Sequence, residues 1–309
     1  MANAPVFMEV GSDGVAVITM SNPPVNPLDL SIITGLKEKY VEAMNRNDVK
    51  AVVLTGDSGK FSGGFDINVF AEVQKTGDAS ILSDVSADLL VNTIEDAKKP
   101  SVAAIQGLAL GGGLDLTLGC HARIATPDAQ LGSRELTLGI IPAFGGTQRL
   151  PRLAGMSKAI EMMLLSKSIQ AKEGKEYGLI DAIASPNELL VVAKQWALDI
   201  AEKRKPWISS LHRTDILGSL SESRQILQAA REQVKRISPH MPQHQACLDA
   251  IEDGIVFGGY AGVLKEARLF KEIVLATTAR NLVHAFFTQR STSKSSAGSS
   301  DSKQLRPRL

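Results

Sequence analysis

Three consecutive glycines, Gly111 to Gly113, stand at the head of an apolar-rich run in the stretch GLALGGGLD, Gly107 to Asp115. Backbone N–H groups at the start of a helix have no partner within the helix, and glycine puts no side chain in front of them. Aided by the helix dipole, such donors hold a negatively charged oxygen. A second segment, Leu131 to Leu153, reads LGSRELTLGIIPAFGGTQRLPRL and carries Glu135, while Asp115 closes the first. Oxyanion donors beside two carboxyl groups are what moving protons next to a carbonyl requires. The pattern predicts an enzyme.

The rest of the chain excludes several alternatives. Lysine and arginine number 34 against 33 aspartates and glutamates, which argues against a nucleic-acid or anionic-membrane partner engaged by bulk charge. Cys120 and Cys247 have no CxxC partner and lie in apolar patterns, so they read as buried thiols in a reducing compartment. No apolar run approaches a membrane span, and the start MANAPVFMEVGSDG lacks a signal-peptide pattern. The expectation is a soluble, intracellular protein. The glycines match neither GxGxxG nor GxxxxGK[ST], and Ser62 lacks the GxSxG elbow. His121 reads as a structural histidine, and His240 with His244 as no metal site.

Short apolar runs at Val15–Met20, Ala51–Thr55, Ser101–Ile105 and Ala122–Ala125 read as strands. Helical spacing marks Ser31–Met44 and Ile81–Ala97 between them. Strands alternating with helices predict an α/β architecture with buried sheets. Beyond Pro186 the pattern becomes helical, at Leu189–Ala201, Ser221–Arg236, Ala246–Val256 and Gly262–Leu275. In the last of these, Val263, Ala267, Phe270 and Val274 predict one apolar face. Phe286 and Phe287 read as ordinary core. These patterns divide the chain into an α/β core over 1–201, a helical region over 202–290 and a disordered tail or linker over 291–309.

FSGGFDI (Phe61–Ile67), GLALGGGLD and IIPAFGGTQRLPRL, in this order and spacing, resemble the enoyl-CoA hydratase/isomerase, or crotonase, superfamily over Val6 to Ala201. With NDVKAVVLTG, CHARI and RKPW, the chain is similar to the N-terminal hydratase region of plant peroxisomal multifunctional β-oxidation proteins. The resemblance implies a spiral of β-β-α repeats. It assigns the oxyanion hole to the N–H groups of Phe65 and Gly112, catalysis to Glu135 and Asp115, and substrate binding to Ser62, Gly64, Asp66, Ile67, Gly111 and Gly113. Ser62 would also shape the loop presenting Phe65, and Asp66 would cap the following helix.

The resemblance further implies hydration of 2-trans-enoyl-CoA in fatty-acid β-oxidation, with no metal or redox cofactor, CoA arriving as part of the substrate. It implies a fused or partner 3-hydroxyacyl-CoA dehydrogenase, possible association of copies of this chain, and a peroxisomal location. The final Pro307-Arg308-Leu309 resembles a peroxisomal address, if Leu309 is the true C-terminus.

Three residues depart from the family pattern. Asp115 stands where the family has glutamate, and one methylene less withdraws its oxygens by roughly 1–1.5 Å, a displacement that can cost about a hundredfold in rate. Arg134 replaces a proline before Glu135, and Ala143 replaces a glycine. The alternatives to a hydratase are therefore a Δ3,Δ2-enoyl-CoA isomerase using Glu135, or an acyl-CoA-binding module that turns over poorly.

Overall fold

A computed structural model describes residues 5–82 and 93–298. A six-stranded sheet runs β1 (Val6–Val10), β2 (Val15–Met20), β3 (Ala51–Gly56), β4 (Ser101–Ile105), β6 (Ala122–Ala125) and β9 (Ala182–Ile183). Every neighbouring pair is parallel except β1 with β2. A smaller sheet orders β5 (Leu108–Leu110), β7 (Gln130–Gly132) and β8 (Ser168–Gln170).

Side chains alternate across a strand, so each central strand serves two cores. Ala16, Ile18, Val52, Leu54, Ala103 and Ile105 enter the main core. Val15, Val53, Val102, Ala104 and Ile124 face a second core closed by Leu189, Ala193, Ala197 and Ile200 of α7 (Leu189–Ala201). Burial on both faces makes these strands continuous apolar runs.

Three successive turns of chain share one plan: a strand in the large sheet, a short stretch in the second layer, then a helix. The first is β3, Ser62 and α2 (Ile67–Thr76); the second is β4, β5 and α3 (Gly112–Gly119). The third is β6, β7 and a 3₁₀ turn at Glu135–Leu138. In the second layer Ser62 bridges Ala109, and Gly111 donates to Gly132 O at 2.7 Å. The ends of these three stretches therefore lie side by side. Phe65, Gly112 and Glu135 each follow one of them.

After α1 (Leu30–Asn45), α4 (Gly146–Ala154), α5 (Met156–Leu164) and α6 (Ala171–Glu176), the chain beyond α7 is helical: α8 (Leu220–Ile237), α9 (Pro242–Phe257), α10 (Gly259–Val274) and α11 (Thr277–Gly298). Ser219 and Glu222 form a capping box that starts α8. Among the described residues, no helix is long and apolar enough to cross a membrane. Leu227, Leu248, Phe270 and Val274 join the main core that Ile18 and Leu54 begin, so the segment beyond 201 packs into the α/β portion.

Helix α11 extends through residues 291–298, where the composition predicts a disordered tail. It propagates from a turn anchored by buried Ala279 and Val283, and elongating a nucleated helix is easy. The helix expected over Ile81–Ala97 falls largely on residues 83–92, outside the described residues, as does the end of the chain from 299.

Candidate active site

A cavity of about 540 Å³ opens where the three turns converge, within the usual range for small-molecule sites. The α/β portion contributes Gly64, Phe65, Ile67, Gly111, Gly112 and Glu135 to its wall. The helical region adds Val263, Ala267 and Phe270 from α10 and Leu282 and Phe286 from α11. Phe286 is thus a cavity residue rather than ordinary core. Its place follows from how α11 crosses the 3₁₀ turn and α2, which helical periodicity does not reveal.

Two residues of this wall, Phe65 and Gly112, have backbone N–H groups with no acceptor among the described residues. Leu28 accepts from Asp66 N–H at 3.0 Å and donates to Gly64 O at 2.8 Å, so the bridge to Leu28 engages the neighbours of Phe65 and leaves its own N–H without an acceptor among the described residues. Gly112 N–H, at the first turn of α3, likewise has no acceptor among the described residues. Gly111 before it has φ +52°, and a Cβ there would stand 2.8 Å from Glu135 Oε1. Glycine is needed on both counts.

The two acidic residues differ in setting. Glu135 lines the cavity and is 9% exposed, and Ser133 Oγ donates to its Oε2 at 2.8 Å. Burial raises its pKa against the pull of that hydrogen bond. Asp115 is 2% exposed and is not part of the cavity wall. Its Oδ2 accepts the Phe144 N–H at 3.3 Å, and Gly146 presses against the same carboxyl. Burial pushes its pKa well up, with Glu135 and Glu266 adding repulsion. In both, burial favours the protonated form.

Other expected site residues take supporting places. Gly64, Ile67 and Gly111 line the cavity, whereas Ser62, Asp66 and Gly113 do not. Ser62 is fully buried, donating to Asn26 O and accepting from Gly64 N–H, which ties it into the loop before Phe65. Asp66 Oδ1 accepts from Asn68 N–H and caps α2. Gly113 is packed against Ser62, where a Cβ would lie 2.7 Å from Ser62 O. Arg134 lies on the cavity wall. His121 is a buried structural residue, accepting Ser101 N–H at Nδ1.

The sequence reading missed Glu266 and Arg149. Glu266 is fully buried on α10 and accepts from Gly145 N–H at 2.6 Å, Thr147 N–H at 2.9 Å and Thr147 Oγ1 at 2.5 Å. Arg149, also fully buried, pairs with Glu95 at 2.5 Å and donates to Phe144 O at 2.9 Å. One signal was present: Glu266 falls within the apolar stripe of Val263, Ala267 and Phe270, where a charge needs a buried partner.

Burial pushes the Glu266 carboxyl up to about 7. The folded chain therefore keeps a proton that the unfolded chain releases above its ordinary 4.5. That contribution is complete below the unfolded value and disappears as pH rises through the folded one. At 1.36 kcal/mol per pKa unit it amounts to roughly 3 kcal/mol. The thermal midpoint is expected to fall between about pH 5 and pH 8, and to fall less in Glu266→Gln. Equal pH slopes in the two proteins would show that this carboxyl is not the source.

Residues 11–250 match the family model described as enoyl-CoA hydratase/isomerase. The chain is 67% identical over 303 residues to a peroxisomal fatty acid beta-oxidation multifunctional protein of Oryza sativa subsp. japonica, covering 98% of this chain and 42% of that protein. It is 33% identical to the human peroxisomal bifunctional enzyme, covering 91% of this chain and 38% of that one. It spans about two fifths of the length of these curated relatives. A solved structure from Acinetobacter baumannii, titled a putative enoyl-CoA hydratase/isomerase, superposes with a TM-score of 0.65 at 20% identity, over 93% of this chain and all of that one. That likeness bears on the fold alone, and the fold is the crotonase spiral. By the extent of the match and the identity of its relatives, the chain belongs to the enoyl-CoA hydratase/isomerase family.

Proposed function

We propose that this chain adds water across the 2,3 double bond of 2-trans-enoyl-CoA, giving 3-hydroxyacyl-CoA. The observation that carries the reading is the convergence of two free N–H groups, on Phe65 and Gly112, with the Glu135 carboxyl in one largely apolar cavity. The thioester oxygen accepts both N–H groups, and the charge that develops there as the enolate forms is stabilised; one such donor is worth about 3 kcal/mol. The oxygen of water bonds to C3, one of its protons goes to C2, and the other stays on the new hydroxyl. Glu135 carries the transferred proton, and Asp115, one methylene short, is its weakened partner. The apolar wall takes the acyl chain, and no resident cofactor is needed.

A second reading has its own support. Only Glu135 of the two acids lines the cavity, and one carboxylate suffices to move a proton from C2 to C4 of a 3-enoyl-CoA. Following the conjugated enoyl thioester absorbance on crotonoyl-CoA separates the two. A hydratase consumes that absorbance, and Asp115→Glu is expected to raise turnover by about tenfold or more as the lost methylene returns the oxygens to the water. No loss of absorbance in either protein, with conversion of a 3-enoyl-CoA intact, favours the isomerase. Tight binding with neither reaction leaves an acyl-CoA-binding module.

The names of the relatives support a peroxisomal setting. The family resemblance supports passing the hydroxyacyl product to a 3-hydroxyacyl-CoA dehydrogenase, fused or separate. Association of copies of this chain belongs to the same reading.

A further inference from the structure

The segment Phe144–Thr147 lies between two buried carboxyls that its own N–H groups hold. On one side Phe144 N–H meets Asp115; on the other, Gly145 and Thr147 N–H meet Glu266, more than a hundred residues further along the chain. Gly146, between them, sits so close to Asp115 that a Cβ would clash with the carboxyl. Phe144 is tied at every group. Its carbonyl accepts from Arg149, its ring meets the Phe65 ring edge-on at 5.6 Å, and a Cβ at Gly112 would lie 3.0 Å from it.

We propose that Glu266 is a positioning residue for the reaction, fixing the Gly145–Thr147 backbone so that Phe144 keeps Asp115 aimed and braces Gly112. Glu266 touches no reacting atom; it acts through Thr147, Gly145 and Phe144. A helix start at the surface could take its cap from water or from the residue before it. Here the cap comes from α10, on the helical region, and joins that region to the acid and the oxyanion donor. The kinetic part of this inference rests on the hydratase reading; the structural part does not.

The test compares Glu266→Gln with wild type by amide hydrogen exchange and by turnover counted per butyryl-CoA-binding site. Exchange over residues 140–149 should accelerate by about tenfold or more, while that over Ala51–Gly56 stays unchanged. Turnover per site should fall about tenfold to a hundredfold, with the Kd for butyryl-CoA within about fivefold, as expected when an acid is displaced by an ångström. Counting sites removes any loss from misfolded protein. If Glu266→Gln does not fold, Thr147→Val and Thr147→Ser take its place: the first loses the hydroxyl donor and should behave alike, the second keeps it and should resemble wild type. Unchanged exchange over 140–149, or unchanged turnover per site in a hydrating wild type, overturns the proposal. A wild type that does not hydrate sinks the hydratase reading instead, and the exchange measurement then decides this one.

Discussion

Replacing Glu135 by glutamine is expected to lower kcat on crotonoyl-CoA by about a thousandfold or more, some 4 kcal/mol of transition-state stabilisation. Glutamine has nearly the same shape, and its carbonyl can still accept the Ser133 hydroxyl. The cavity should therefore survive, and butyryl-CoA should bind within about threefold of wild type. What disappears is the one carboxyl that the described residues place on the cavity wall. Asp115 is not expected to substitute, because it does not line the cavity and one of its oxygens accepts the Phe144 N–H. The same substitution removes a buried carboxyl whose pKa is raised, so the variant should melt no lower than wild type at neutral pH. A variant that keeps a tenth of wild-type kcat would show that Glu135 does not carry the proton. The proton-carrying role would then shift to Asp115.

The features legible in the sequence share a physical cause: they are set locally. Val15–Met20, Ser101–Ile105 and Leu189–Ala201 have the same bounds in the sequence reading and in the structure. The strands are buried on both faces and bounded by turn residues, while α7 shows an unbroken helical period. Gly111–Gly113 and Glu135 were legible because their chemistry needs particular residue types. By contrast, GTQRLPRL looks like a surface helix with a proline in it, yet all nine residues of α4 are buried. Its polar side chains pair with groups remote in the chain: Thr147 with Glu266, Gln148 with Ala250 O, Arg149 with Glu95 and Arg152 with Gly254 O. No local pattern encodes such pairing. The direction of Asp115 was hidden for the same reason, since Phe144 and Gly146 hold it.

A chain ending at Ala201, the last residue of α7, is expected to lose cooperative folding. Residues 202–298 supply the partners of Thr147, Gln148 and Arg152, and the groups that satisfy Glu95, namely Ser209 Oγ, Ser210 Oγ and Leu211 N–H. Each buried polar group left without its partner costs about 1–3 kcal/mol. Four of them already approach the 5–15 kcal/mol by which a domain is typically stable. The main core would also lose Leu227, Leu248, Ile251, Phe270 and Val274. Helix α4 could escape by swinging into water, but that movement carries Phe144 away from Asp115 and Gly112 and dismantles the site. The cavity would in either case lose Val263, Ala267, Phe270, Leu282 and Phe286 from its wall. Circular dichroism should show no sharp thermal transition in the 1–201 fragment, and calorimetry no acyl-CoA binding. A cooperative melt with hydration retained would mean that the α/β portion completes the site by itself. The partners of α4 point the other way: the expected outcome is that the helical region beyond 201 folds together with the α/β portion and completes the cavity wall.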